Sequence, residues 1–475
     1  MNTEIFIIDR KPEQQDIVFP VNQLTKIPSG YFSNEELKYI KRQKSDKKDL
    51  LLFNRLDYHL IIWFLKEEKN SFLKLEQCRK AGDNLTLKLN ELKSTSVAIY
   101  DAEGLGEETA AFVEGMVLGN YQFLKYKKDK EKSHTLRKIF LFSEKISIDR
   151  ISELSTISEA VYHCRTLINE PFSCLNTTSF SKEVVKLGKK CGAKVEVMNK
   201  QKIESLKMGG LLAVNQGSEE PPAFIVMDWN PLGAINKKPI IFIGKGVVYD
   251  SGGMNLKPGD SMTNMKDDMS GAAAVACAIY AIATAELQIH VIGLMPVTDN
   301  KIGPKAILPG DIITMFNGTT VEVINTDAEG RLILADALSY ASRYKPELVI
   351  DLATLTGAAV RAIGKFGIVA MQKNAEKQLD RLKQSGWQVF ERIVEFPSWD
   401  EYGDLIKSEI ADLKNLGPGE AGAITAGKFL QSFSDYPYIH LDIAGPAFLD
   451  TRDSYRGKGG TGVGVRLLYD FIKKI

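Results

Sequence analysis

Apolar residues in this chain fall into two alternating patterns. Short, largely apolar runs, such as Pro239-Ile240-Ile241-Phe242-Ile243 and Leu348-Val349-Ile350-Asp351-Leu352, have the character of strands buried on both faces. Stretches of strong helix formers lie between such runs, and Ala272-Ala273-Ala274-Val275-Ala276-Cys277-Ala278-Ile279-Tyr280 is the richest. Strand and helix in alternation predict a largely parallel sheet flanked by helices. Upstream, Ser152 to Asn169 carries Leu154, Ile157, Val161 and Leu167 at helical spacing and stops before Pro171, which predicts a connecting helix. Residues 1–150 mix runs such as Leu60-Ile61-Ile62-Trp63-Phe64-Leu65 with charged loops and one helical stretch, Glu108 to Tyr121. The expected fold class is α/β, with a smaller N-terminal α/β domain over 1–150, a connecting helix within 151–172 and a larger C-terminal domain over 173–475.

Ligands in such folds sit beyond the carboxyl ends of the strands, and the chain there is rich in charge. After the run 239–243 comes Gly244-Lys245-Gly246-Val247-Val248-Tyr249-Asp250-Ser251-Gly252-Gly253, then Asn255-Leu256-Lys257-Pro258 and Met265-Lys266-Asp267-Asp268-Met269. A second cluster, Asn325-Thr326-Asp327-Ala328-Glu329-Gly330-Arg331, links the apolar Val321-Glu322-Val323-Ile324 to a helical stretch from Leu332 to Leu338. Residues two apart on extended chain share a side, so Asp327 and Glu329 can face one point. Hard oxygen donors meeting at a point suit a divalent cation.

Each of these residues also has an ordinary reading. Lys245 lies among glycines, but the G-x-x-x-x-G-K-[ST] pattern of a phosphate loop is absent. Asp250 in Asp-Ser-Gly-Gly suits a turn, and Lys257 suits solvent. Asp267 or Asp268 could cap the helix that follows. Arg331 fits no ordinary role, because a cation at a helix start opposes the helix dipole.

Taken together, the two clusters resemble the metal-binding motifs of the leucyl aminopeptidase family, the dinuclear metal cytosol aminopeptidases. The Gly-Lys-Gly turn, Asp-Ser-Gly-Gly, an Asp two residues after a Lys, and the Asn-Thr-Asp-Ala-Glu-Gly-Arg run all stand in order. The resemblance implies Lys245, Asp250, Asp268, Asp327 and Glu329 as ligands of two divalent metal ions, with Asp250 and Glu329 bridging them. Zinc or manganese is implied, with magnesium or cobalt as alternatives. It implies Lys257 and Arg331 as catalytic side chains, with a bicarbonate ion at Arg331 as the general base. Met265, Thr354, Gly357, Ala444 and Ala447 are implied as the pocket for the first side chain of the substrate. The implied function is hydrolysis of the N-terminal residue, preferably Leu or another apolar one, from short peptides by a homohexamer. Segments such as Met208-Gly209-Gly210-Leu211, Asp351-Leu352-Ala353-Thr354, His440-Leu441-Asp442-Ile443-Ala444-Gly445 and Gly460-Thr461-Gly462-Val463 extend the resemblance over about residues 160–475. Three departures stand out: Asp267 where Ala is usual, Asp299-Asn300 for the commoner Glu-Asn, and Ala447 where some relatives carry Met.

The residue types are suited to that chemistry. Four carboxylates and one lysine can hold two cations, and two cations a few Å apart can share a water and lower its pKa. Lys245 can ligate only as a neutral amine, a form that adjacent dications favour. In the account the resemblance implies, Lys257 stays cationic and polarises the scissile carbonyl. His440 reads as packing within its strand, and no histidine falls in the motifs, so the general base lies outside the usual choice.

Composition narrows the alternatives. Lys plus Arg is 61 against 60 for Asp plus Glu, and the resulting charge of +1 gives no argument for nucleic acid or an anionic membrane. That balance, with a full set of ligands, weighs against a regulatory or nucleic-acid-binding role on the same fold and leaves a phosphoesterase as the rival two-metal enzyme. The locally basic run from Lys125 to Lys132 reads as a solvated face. Five scattered cysteines without a C-x-x-C fit reduced thiols. The N-terminus lacks the basic start and long apolar run of a signal peptide, and no stretch has the length of a membrane span. A cytoplasmic enzyme is expected.

Overall fold

The computed structural model describes residues 3–46, 48–128 and 133–475; residues 129–132 of the basic run therefore lie outside the described residues. The chain forms two compact units, Met1–Tyr162 with Arg452–Gly457, and His163–Thr451 with Lys458–Ile475.

The first unit is built on six strands: β1 (Glu4–Ile7), β2 (Ile17–Val21), β3 (Leu50–Asn54), β4 (His59–Phe64), β5 (Ser96–Tyr100) and β6 (Lys138–Phe142). Their order is β1-β6-β5-β2-β4-β3, parallel except for the β3–β4 hairpin. Two helices, α1 (Ser71–Glu91) and α2 (Glu107–Gly119), share one core with Val18, Ile61, Val97 and Ile139 of the sheet. Trp63 of β4 stacks on Phe112 of α2 with ring centroids 4.1 Å apart, a contact that adds to simple burial. Helix α3 (Ile148–Asn169) then carries the chain into the second unit.

The second unit holds a nine-stranded sheet. Its strands are β7 (Lys194–Met198), β8 (Ala223–Trp229), β9 (Ile240–Gly244), β10 (Gly246–Asp250), β11 (Val291–Asn300), β12 (Leu348–Ala353), β13 (Ile368–Lys373), β14 (Ile393–Glu395) and β15 (Tyr438–Asp442). The order is β14-β13-β15-β12-β9-β11-β8-β7, with β10 paired to β11. The central strands β11, β9, β12 and β15 run parallel, and antiparallel pairing enters only toward the flanks, at β8 and β13. Helices on both faces keep these strands from water, as parallel pairing requires. Helix α4 (Ser270–Thr284) packs on β9, β11 and β12, and its Ala-rich sequence is apolar all round because it is buried all round. Helix α5 (Glu329–Ala341) shares a separate core with Ile241 and Ile243 of β9, Val349 of β12 and Tyr438 of β15. Lys245, Asp250, Asn300, Thr354 and Asp442 all stand at or just past the carboxyl ends of parallel strands, where ligand sites form in sheets of this kind.

Candidate active site

The backbone of Lys245 is pinned between two elements. Its N–H donates to Leu352 O of β12 (3.0 Å), and its carbonyl accepts from Ala272 N in the first turn of α4 (2.9 Å). The side chain then runs across Gly330, where a Cβ would lie 2.5 Å from Lys245 Cε. Lys245 Nζ thereby reaches Asp268 Oδ1 at 2.7 Å, Glu329 Oε1 at 2.9 Å and the Thr354 carbonyl at 2.9 Å. Lys257 Nζ makes a matching pair of contacts, to Asp250 Oδ2 at 2.8 Å and Asp327 Oδ1 at 2.6 Å. Oxygens of Asp250, Asp327 and Glu329 come within 4.8 Å of one another. All seven residues of the two clusters singled out as ligands or catalytic groups lie in the second unit, and six of them form this one knot of charge.

Polar neighbours fix the carboxylates. Asp250 Oδ1 accepts from Asn300 Nδ2 and from Gly252 N, each at 2.8 Å. Gly252 adopts φ +87°, and a Cβ there would lie 2.4 Å from Asn255 O, so the turn after Asp250 needs glycine. Asp268 Oδ1 accepts from Thr354 Oγ1 at 2.8 Å. Asn325 Oδ1 accepts the Asp327 N–H at 2.7 Å and turns that carboxylate toward Lys257.

Burial and charge work against each other here. Burial raises the Asp268 carboxyl, with Lys245 opposing. Burial would lower Lys245, but Asp268, Glu329 and Asp250 outweigh it and raise the ammonium. Lys257 is raised in the same way, burial being outweighed by Asp250 and Glu329. Asp327 is pushed up to about 6, by burial first and then by the Asp250 charge. Asp267, where Ala is usual, is pushed up to about 7 by burial, with Lys245 opposing. The lysines thus neutralise carboxylates that would otherwise repel one another. Asp268 Oδ2 and Glu329 Oε2 remain buried with no hydrogen-bond partner among the described residues. Free carboxylate oxygens beside an amine form a hard N/O donor set, which fits divalent cations.

Arg331 is buried in the first turn of α5, and burial lowers its pKa to about 10, with Glu329 and Asp442 opposing. One terminal nitrogen donates to Asn415 O at 2.7 Å. Asn415 also accepts from Ile324 N at 2.7 Å and donates to Asn325 O at 2.7 Å, so it ties the start of the Asn325–Arg331 run to the side chain at its end. Sequence reasoning missed Asn415, which lies 84 residues beyond Arg331 with no motif around it. Of the residues expected to line a pocket, Thr354 joins the charged knot through its carbonyl and hydroxyl. Met265 stands in a short turn before Asp268, and Gly357 opens helix α6 (Gly357–Ile363). Ala444 and Ala447 bound a short helix packed against α6, with Ala447 fully buried.

Comparison with known proteins shows the family. The catalytic domain of the cytosol aminopeptidase family matches residues 162–469, and that family's N-terminal domain matches 66–130. A probable cytosol aminopeptidase of Chlorobium limicola is 42% identical over 426 residues, covering 84% of each chain. One from Chlorobium phaeobacteroides is 39% identical and covers 98% of both. Among solved structures, a tomato leucine aminopeptidase mutant superposes with TM-score 0.87 at 27% identity, covering 100% of this chain and 97% of its own. The bottromycin maturation enzyme BotP in complex with Mn gives TM-score 0.86 at 26% identity, covering 97% and 99%. The chain belongs to the cytosol aminopeptidase family and is a metal-dependent aminopeptidase.

Proposed function

We propose that this enzyme removes the first residue, preferably Leu or another apolar one, from short peptides, with two divalent cations held by Lys245, Asp250, Asp268, Asp327 and Glu329. The observation that carries the reading is the buried knot in which two lysines meet four carboxylates at 2.6–2.9 Å. When bound, the cations supply Lewis acidity, which activates a shared water and polarises the scissile carbonyl. Zinc or manganese suits the donor set, and one solved relative is described with manganese.

The chain's own groups then divide the work. Lys245 would hold a cation as its neutral amine, its proton passing to solvent, as nearby cationic charge favours that form. Lys257, released from Asp250 and Asp327, keeps its proton and stabilises charge developing on the carbonyl oxygen. Arg331 offers N–H groups to a bicarbonate ion, which when bound supplies the general base. Met265, Thr354, Gly357, Ala444 and Ala447 carry no charge and receive the first side chain. By family resemblance the active form is a cytoplasmic homohexamer.

Initial rates on a panel of aminoacyl amides, with each metal added to apo-protein, test the reading. Metal-dependent release of apolar first residues supports it. Turnover of phosphoesters with no action on amides would overturn it.

A further inference from the structure

Two loops from distant parts of the chain bring carboxylates to the charged knot. One begins at the end of β10 and carries Asp250 and Lys257, and the other leads into α5 and carries Asp327 and Glu329. Asn255 on the first and Thr326 on the second are joined by a reciprocal pair of hydrogen bonds. Thr326 N donates to Asn255 Oδ1, and Asn255 N donates to Thr326 Oγ1, each at 2.8 Å. The Thr326 hydroxyl donates to Gly252 O at 2.6 Å, which lies closer than Asn255 Oδ1 at 3.1 Å.

Asn300, the last residue of β11, closes the arrangement. Its Nδ2 donates to Asp250 Oδ1 at 2.8 Å and to Thr326 O at 3.0 Å, so one amide grips both loops. Its backbone carbonyl accepts from Ser251 N at 2.9 Å and from Ser251 Oγ at 2.7 Å. Gly253, at φ +63°, lets the first loop lie flush against these groups. A Cβ there would stand 2.8 Å from Asn300 Oδ1 and 3.0 Å from Thr326 Oγ1. Thr326 and Asn300 are 1% and 4% exposed, so any of these hydrogen bonds is costly to leave unmade.

The opposite side of the knot has its own anchors, because Asp268 is held by Thr354 Oγ1 and Lys245 Nζ. Asp250, Asp327 and Glu329 form the group whose oxygens come within 4.8 Å of one another. We propose that Thr326, with Asn255 and Asn300, is a positioning residue that sets the separation of Asp250 and Asp327 for the cation held among those three carboxylates. The two loops are locked together by hydrogen bonds, so the cation does not bear the cost of ordering its ligands. The cation beside Lys245 and Asp268 depends on this clasp far less. The inference rests on the proposed pair of cations.

Thr326→Val keeps the shape of the side chain and removes the hydroxyl, whereas Thr326→Ser keeps the hydroxyl. Both are stripped of metal, with wild type and Asp327→Ala, and titrated with Mn²⁺ by calorimetry; thermal unfolding of the metal-free proteins is followed alongside. Groups that hold metal ligands in place are worth roughly ten- to a hundredfold in affinity, so Thr326→Val should weaken one of the two ions about tenfold or more and leave the other within about twofold. Thr326→Ser should recover most of that loss. Wild-type affinity for both ions in Thr326→Val would overturn this inference alone, whatever happens to its unfolding temperature. Equal weakening of both ions would also overturn it, as general loosening of the fold, and so would a Thr326→Ser variant as impaired as Thr326→Val. A wild type that binds one ion, or an Asp327→Ala variant that binds two at wild-type affinity, would remove the two-cation reading and this inference with it. Should Thr326→Val fail to fold, Asn255→Ala carries the test by removing the acceptor of Thr326 N. One ion weakened about tenfold then supports the clasp, and two unchanged ions overturn it.

Discussion

Lys245 crosses Gly330 so closely that a Cβ on the glycine would lie 2.5 Å from the lysine Cε and 2.8 Å from its Nζ. A residue of α5 thus sets where a side chain from the β9–β10 turn can lie. Gly330→Ala should push Lys245 Nζ away from Asp268 and Glu329, although alanine itself favours helix. We expect divalent-ion affinity and turnover to fall at least about tenfold with the fold retained, since overpacking costs on the order of 1–3 kcal/mol. Calorimetric titration and initial rates check this, and wild-type affinity would show that the lysine chain moves aside freely.

Lys257 offers a different signature. Its contacts to Asp250 and Asp327 belong to the arrangement without metal, and its proposed task is performed only as charge develops on the substrate. Lys257→Ala should therefore lower kcat on the order of a hundredfold while the protein still binds its metals. Loss of metal in that variant would make Lys257 a ligand or a structural residue instead.

Stability should carry a pH signature from Asp336, far along α5 from the charged knot. Its carboxylate accepts from Leu211 N and Phe316 N, each at 2.9 Å, yet burial pushes its pKa up to about 7. A carboxyl raised above its ordinary value near 4 contributes most stability below that value and loses it as pH rises through about 7. The stability of wild type relative to Asp336→Asn should accordingly fall between about pH 4 and pH 7 and level off above. Denaturant unfolding across that range measures it. A difference that does not change with pH would show Asp336 ionised throughout.

Much of this was legible in the sequence, for identifiable reasons. Strands buried on both faces, such as Ile240–Gly244, announce themselves as unbroken apolar runs, and a helix buried all round, such as Ser270–Thr284, as an alanine-rich run without a charged residue. The α/β class and the charged residues past the strand ends follow from that. Contacts spanning distant segments were not legible. Asn415 holding Arg331, Asn300 steadying Asp250, and Asp351 paired with His440 join residues 84, 50 and 89 positions apart. Each uses a residue type that is ordinary in its own surroundings. His440 reads locally as strand packing, and only the register of β12 against β15 puts a carboxylate beside it.

Substrate choice would follow from the uncharged pocket proposed above. If Met265, Thr354, Gly357, Ala444 and Ala447 line it as proposed, a charged first side chain would be desolvated there without a charged partner, whereas each buried methylene gains roughly 0.8 kcal/mol. We expect kcat/KM across amino-acid amides to be highest for Leu and Met, with larger apolar residues accepted and Asp and Glu cleaved poorly. A clear preference for an acidic first residue would show that the pocket lies elsewhere.

Counting ions tests the central claim most directly. Chelator-treated protein is titrated with Mn²⁺, and bound metal by elemental analysis is set beside the rate on Leu-amide in the same samples. Wild type should bind two ions per chain and gain activity as they bind. Asp327→Ala and Glu329→Ala should stay folded, hold fewer ions and show no measurable turnover. Full activity in metal-free protein, or normal turnover and two bound ions in either variant, would contradict the account.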